Sequence, residues 1–247
     1  MIHLSVNVNK VATLRNSRGG TEPSVLDAVR VCVDAGVQGI TVHPRADRRH
    51  ITPEDVHDIA NALAGVRHRV ELNIEGDPRP DLLDLVRTVR PDQCTLVPVT
   101  PGEITSHAGW TQATADAARL GDVVADLKSH GVRVSLFVDP NPSDVKLATA
   151  LNADRVELYT EPYARAFEAG DRTAQSSFGR YADTARAAAS AGLGINAGHD
   201  LDLRNLVLFR TLPYLAEVSI GHAIISRAVF RGLETVVREY LDVLNAV

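Results

Sequence analysis

Cysteine, aromatic side chains and charge of one sign are all scarce in this 247-residue chain: it has two cysteines, 4% aromatic residues, and 26 Lys+Arg against 31 Asp+Glu for a net charge of -5. Cys32 and Cys94 each sit inside an apolar segment with no Cys or His at metal-ligand spacing, so both are expected as buried, reduced thiols. The mild acidity supplies no field that would hold a polyanion, which argues against a nucleic-acid partner and makes any phosphate affinity a local matter. No run approaches the roughly 18 apolar residues of a transmembrane helix. The opening MIHLSVNVNK has neither the basic start nor the apolar core of a signal peptide, so no membrane is expected and the expected location is the cytosol. No linker rich in Pro, Gly or Ser divides the chain and no segment is of low complexity, so residues 1–247 are expected to form one domain, near the size at which single cores stop growing, about 250–300 residues. No HExxH or regular His/Asp pair offers a metal site, and no Cys or Ser stands beside a histidine in a recognisable nucleophile turn.

What is present is a repeat of short Val/Ile/Leu-rich runs, each followed by a longer stretch with helical spacing. The runs are HLSVNV from His3, GITVH from Gly39, RVELNI from Arg69, QCTLVP from Gln93, VRVSLFV from Val132, DRVELY from Asp154, LGINAG from Leu193 and EVSIG from Glu217. Between them, Pro23-Ser24, Thr52-Pro53-Glu54 and Pro142-Ser143 open helices, and Gly36, Gly131 and Gly192 follow helical runs where a left-handed residue is wanted. This strand-helix alternation predicts an α/β fold, the (β/α)8 TIM barrel, rather than an open doubly wound sheet, since no GxGxxG follows the first strand. The sixth connection, Tyr159 to Gly192, is long enough for two helices and predicts an insertion there.

A barrel of this kind carries its active site at the C-terminal ends of the strands. Those ends hold Asn7 and Asn9, His43 and Arg45, Glu75, Glu157 and Tyr159, Asn196 and His199, and Gly221 and His222. His43, His50, His199 and His222 are therefore expected at one mouth. The second loop, His43 to His50, contains three arginines whose planar forks match phosphate oxygens; the alternative is a solvated basic stretch bridged to Asp47. In the first loop Arg15 and Arg18 precede Gly19 and Gly20, which permit a close backbone approach. The turns after strands seven and eight, Asn196 to Asp200 and Ile220 to Ile224, lie where such barrels bind phosphate on helix N-termini, although a Gly-rich turn there is also plain barrel geometry. Glu75 and Glu157 are both expected to face the mouth, Glu157 among the substrate contacts, and each is either an acid/base or half of a buried ion pair. The residues point to acid/base chemistry on a phosphorylated substrate. Another phosphosugar isomerase or aldolase, or a non-catalytic phosphometabolite-binding barrel, remains a rival reading.

The stretches Val6 to Gly19, Gly39 to Ile51, Val134-Ser-Leu-Phe, Asn196-Ala-Gly-His199 and Ile220-Gly-His-Ala-Ile-Ile225 resemble, in order along the chain, the motifs of the pyridoxine 5'-phosphate synthase family. That resemblance implies a barrel with extra helices, assembled as a homo-octamer from dimers. The implied reaction condenses 1-deoxy-D-xylulose 5-phosphate with 3-amino-2-oxopropyl phosphate, giving pyridoxine 5'-phosphate, inorganic phosphate and water, with no metal and no organic cofactor. Carried over by motif, His43 resembles the family's proton acceptor, Glu75 a second acid/base and His199 a proton donor. Arg45, His50 and Thr105 resemble the deoxyxylulose-phosphate contacts. Asn7, Arg18, Gly221 and His222 resemble the aminoketone-phosphate contacts. The chain departs from the family pattern at Asn9-Lys10, where Asp-His is common, at Asp200, where Gly is common, and at Tyr159 and Glu161. Lys10 is thereby expected to meet substrate as a fixed charge, and Asp200 to stand beside the proposed phosphate turn.

Overall fold

The computed structural model describes residues 1–98 and 108–246. Among them, eight parallel strands close into a barrel in sequence order: β1 (His3–Asn7), β2 (Gly39–Val42), β3 (Glu71–Gly76), β4 (Gln93–Leu96), β5 (Arg133–Val138), β6 (Arg155–Tyr159), β7 (Gly194–His199) and β8 (Leu215–Ile220), with β1 paired to β8. This is the TIM barrel expected from the alternation. Helices fill the connections: α1 (Asn9–Asn16) and α2 (Val25–Ala35), α3 (Pro53–Leu63), α4 (Pro80–Val89), α5 (Ala117–Ser129), α6 (Pro142–Ala150), α7 (Glu161–Glu168) and α8 (Asp171–Ser190), and the short α9 (Leu206–Phe209). Two more, α10 (His222–Arg231) and α11 (Leu233–Asn245), follow β8. The sixth connection does hold two helices. The second begins ten residues before its apolar spacing suggests, because Asp171 to Arg180 present mostly exposed polar side chains, with Ala174 and Ser177 buried and Phe178 packed against the core. The first connection also carries two helices.

Local chemistry accounts for the helix ends. Ser24 caps α2 by accepting from the Asp27 amide, and Thr52 and Asp55 form a reciprocal capping box on α3 with Pro53 in its first turn. Gly36 ends α2 at φ 102°, in the left-handed region where a side chain is disfavoured. None of the described helices is long and apolar enough to cross a membrane.

The strands divide their faces by a period of two. Leu4, Val6, Ile40, Val42, Leu72, Ile74, Val134, Leu136, Val156, Leu158, Val218 and Ile220 point outward and pack beneath the helices in one fully buried core. The alternate residues point inward and are mainly polar. Hydrogen bonds join strands that are not neighbours, Gln93 to Asn196 (3.3 Å), Thr95 to Glu157 (3.5 Å) and Arg133 to Glu71 (3.2 Å), so these side chains meet across the lumen. Parallel strands covered on both faces usually read as unbroken apolar runs; here the barrel is filled by a hydrogen-bonded polar stack. Near the mouth a small separate cluster of Val97, Phe137 and Tyr159 closes the stack. Trp110 latches the chain entering α5 to this end, its amide donating to the Phe137 carbonyl (2.7 Å) and its indole N–H to the Leu96 carbonyl (2.9 Å).

Candidate active site

A cavity of about 280 Å³ opens at the C-terminal ends of the strands. The first two loops contribute Asn7, Asn9, Lys10, His43, Arg45 and His50, β3 contributes Glu75, and the last two loops contribute His199, Asp200, Gly221 and His222. The four histidines do converge. Tyr159, Glu161, Arg165 and Ser219 complete the wall. Ser219 and Arg165 were not anticipated, yet Ser219 is legible as the inward position between Glu217 and Gly221 in the alternation of β8.

One wall is braced from β1. Asn7 donates to Glu75 Oε2 (3.4 Å) and accepts from the Asn9 amide (3.0 Å), while Asn9 Oδ1 accepts from the His43 amide (2.9 Å). His43 Nδ1 lies 3.9 Å from Glu75 Oε2. Burial pushes the Glu75 carboxyl up to about 8, with the negative charge of Glu217 adding to the rise and a hydrogen bond from Ser219 opposing it. Burial also holds His43 well below its usual value, helped by His50, Arg45, His199 and Arg79 around it. At neutral pH the pair is thus a carboxylic acid beside a neutral imidazole. His43 Nε2 has no hydrogen-bond partner among the described residues, which leaves it for a bound molecule.

The opposite wall repeats this pairing. His199 Nδ1 lies 3.8 Å from Glu157 Oε1, and the ring rests against Phe137 with centroids 5.0 Å apart. Glu157 does not line the cavity; it is fully buried beneath it, held well above the usual carboxylate range first by burial and then by the charges of Glu75 and Glu217. Burial lowers His199 to about 4, although 26% of its side chain still faces the cavity. Its backbone has φ 86°, uncommon for a residue with a side chain and a mark of a position held by its surroundings. Gly198 before it is obligatory, because a Cβ there would overlap the Ser219 carbonyl oxygen.

The basic side of the mouth belongs to loop two. His50 Nδ1 accepts from the Ile51 amide (2.9 Å), which fixes the neutral ring as an Nε2–H donor, and burial lowers its pKa to about 4, with Arg45 and Lys10 adding. Arg45 is nearly buried and lies 3.7 Å from Asp47, while Arg49 binds Asp47 at 2.6 Å on the outside. The Asp47 bridge expected of this loop is therefore present, and Arg45, which shares it, also lines the cavity. Arg15 is spent on structure, holding Asp55 through two bonds (2.5 and 2.9 Å) and the His50 carbonyl (3.3 Å). Arg18, expected to contact the aminoketone phosphate, is exposed in the turn after α1 and is not among the residues that line the cavity. Gly19 and Gly20 border a separate surface depression between α2 and α3. Thr105 lies outside the described residues.

At the last two loops α10 begins immediately after Gly221, and Gly221 and His222 line the cavity, so the N-terminal end of this helix lies at its edge. A side chain at position 221 would come within 2.9 Å of the Asn7 carbonyl oxygen, which explains the glycine. Asp200 stands near His222; burial and the nearby Glu161 raise its pKa. Glu161 is ion-paired to Arg165 one turn along α7.

Comparison with known proteins places this geometry. Residues 4–246 match the family model described as pyridoxal phosphate biosynthesis protein PdxJ. Curated proteins called pyridoxine 5'-phosphate synthase are similar over nearly their whole length. One from Xanthomonas oryzae pv. oryzae is 52% identical over 252 residues, covering 99% of this chain and 97% of that protein. One from Leptospira biflexa serovar Patoc is 47% identical over 254 residues, covering 99% and 98%. Among solved structures, 3-hexulose-6-phosphate synthase superposes with a TM-score of 0.62 at 14% identity, covering 98% of this chain and all of that one, a likeness of fold alone.

Proposed function

Because the chain belongs to the PdxJ family and is an enzyme of the pyridoxine 5'-phosphate synthase kind, we propose that its cavity joins 1-deoxy-D-xylulose 5-phosphate to 3-amino-2-oxopropyl phosphate, releasing pyridoxine 5'-phosphate, inorganic phosphate and water. The observation that carries this reading is a pair of carboxyl–imidazole couples, Glu75 with His43 in one wall of the cavity and His199 in the other backed by Glu157 buried beneath it. Imine formation, dehydration, phosphate loss and ring closure each move a proton to or from carbon or oxygen, and acid/base side chains fixed at the cavity suit that work. His43 takes a proton at its unpartnered Nε2, with the Asn7–Asn9 brace fixing its position. Glu75, about half protonated near pH 8, serves as a second acid/base. His199 gives a proton from one ring nitrogen while the other draws on protonated Glu157; closing their 3.8 Å separation by about 1 Å brings them into hydrogen-bond range.

The two phosphates divide between the two ends of the mouth. Arg45, His50 and Lys10 favour the sugar phosphate, and Thr105 joins them in this reading. The α10 N-terminus with Gly221 and His222, and Asn7 below, favour the aminoketone phosphate. Asp200 and Glu161 then leave a locally acidic edge beside it. No step of this scheme calls on a metal or an organic cofactor.

We also take the chain to be a cytosolic homo-octamer, supported by apolar side chains left exposed on two helices packed together, Leu14 on α1 and Val229 and Phe230 on α10. Light scattering should give a mass near eight times the 26.6 kDa chain. The deciding experiment for the reaction measures inorganic phosphate release with each substrate alone and with both. Release only with both is expected. Turnover of the sugar phosphate alone would indicate an isomerase or aldolase, and binding without release a non-catalytic barrel.

A further inference from the structure

The catalytic cavity has a neighbour. A second hollow of about 320 Å³ lies beside it, and five residues, Glu161, Arg165, His199, Asp200 and His222, border both. Lys10 and Arg45 border only the first, so the shared wall is the end of the mouth built by the connections after β6, β7 and β8. Phe167 and Arg204 border only the second, with the guanidinium 5.8 Å from the ring centroid.

Charge is divided unevenly between the two ends. Among the described residues lining the catalytic cavity, the lysines and arginines are Lys10, Arg45 and Arg165. Two of them stand in the first two loops. Arg165 is thus the cation of this cavity at the shared wall, where the carboxyl groups of Glu161 and Asp200 also stand. A phosphate ester carries nearly two negative charges at neutral pH, so at that end it needs a cation to offset the two acids.

Glu161 and Arg165 are ion-paired one turn apart on α7. The glutamate side chain is 26% exposed and the arginine 81%, so the acid is set in the wall and the arginine is the partner free to swing. An exposed pair at this spacing is worth only about a factor of two in an equilibrium constant. A guanidinium fork on a phosphate makes two charge-assisted bonds to a more highly charged acceptor. Glu161 also lies in the first turn of α7, whose unpaired amides stabilise its charge once the arginine has left. Exchanging the carboxylate for a phosphate is therefore favourable.

We propose that Arg165 is a specificity-determining contact that leaves Glu161 to bind the phosphate of the three-carbon aminoketone, with Glu161 holding it at the wall until that phosphate arrives. This rests on the reaction proposed above and names the cation for its second phosphate.

The test is steady-state phosphate release with one substrate varied and the other saturating. Arg165→Gln, a change at an exposed position, should stay folded by circular dichroism and raise KM for 3-amino-2-oxopropyl phosphate about tenfold, the lower end for losing a hydrogen bond to a charged group. Its kcat should change far less, and its KM for 1-deoxy-D-xylulose 5-phosphate should hold. Arg165→Lys should recover part of the loss, since it restores the charge without the fork. Glu161→Gln should act in the opposite sense, lowering KM for the aminoketone about twofold by releasing the arginine. In the Arg165→Gln background that gain should shrink, because no arginine is left to release. If Arg165→Gln keeps the parent KM for the aminoketone, or raises both KM values alike, the assignment of Arg165 is overturned while the reaction stands. An undiminished gain from Glu161→Gln in that background would overturn the exchange of partners. If the unmodified protein releases no phosphate with both substrates present, the reaction itself falls, and the role of Arg165 with it.

Discussion

Adding one methyl group at Gly198 tests the geometry of the mouth directly. Gly198 of β7 pairs with Ser219 of β8, and a Cβ at this position would overlap the Ser219 carbonyl oxygen and stand 3.2 Å from Glu157 Oε1. The oxygen belongs to a barrel ladder and has no rotamer to escape into, so either the two strands part or Glu157 is displaced. Overpacking of this kind costs about 1–3 kcal/mol. At about 2–4 °C per kcal/mol for a chain of this size, Gly198→Ala should lower Tm by about 2–12 °C. The effect on rate should be larger than the effect on stability. His199 is the next residue, already held at φ 86°, and the Gly198 carbonyl accepts from the Thr160 hydroxyl. A misplacement of about 1 Å at a catalytic group can cost about 100-fold, so kcat should fall by about that factor. KM for the sugar phosphate should hold, since Arg45 and His50 lie across the cavity. Calorimetry together with steady-state phosphate release would measure both. A variant with unaltered kcat and a Tm within about 1 °C of the parent would refute the argument.

His43→Ala and Glu75→Gln should each remain folded by circular dichroism yet lose about 10²- to 10⁴-fold in kcat, the usual contribution of a general acid or base; full turnover in either would remove that residue from the mechanism. His50 has a folded pKa of about 4 against about 6.5 unfolded, so between those values the unfolded chain binds the extra proton and acidification destabilises the fold. His50→Asn keeps an acceptor for the Ile51 amide but cannot titrate, so its Tm should fall less than the parent's from pH 6.5 to 4.5; an equal fall would show that His50 is not buried in its neutral form. Lys10→His should change KM for deoxyxylulose phosphate and leave kcat nearly constant, because a residue that only grips substrate contributes uniform binding. A kcat profile displaced by about one pH unit, with constant KM, would instead make Lys10 a proton carrier.

The barrel was legible because eight β-branched runs alternate with capped helical stretches, and signals such as Thr52-Pro53 and Gly36 act within a few residues of themselves. The mouth was legible because strand ends are fixed once the strands are. Depth was not. Glu157 and Glu75 both sit near strand ends, yet Glu75 reaches the cavity and Glu157 lies beneath it. That difference depends on the stagger of the strands, which comes from the register of eight pairings together. Arg15 and Arg18 are three residues apart in sequence; Asp55, forty residues away, binds Arg15 into the scaffold, whereas Arg18 remains outside. The polar lumen was readable in principle, since HLSVN, ELNIE and RVELY alternate polar with apolar residues, but the apolar members alone mark a strand and conceal what lies opposite them.

Trp110 is the single tryptophan of the chain. Its indole is tied to the Leu96 carbonyl at the end of β4, and its amide to Phe137, whose ring touches both Tyr159 and His199. Intrinsic fluorescence excited near 295 nm therefore comes from one place, a few residues from the mouth, with no second emitter to blur it. Occupancy of the cavity can be followed as a change in that emission without a label or a coupled assay, and stopped-flow mixing with either phosphorylated substrate would give the order in which the two bind.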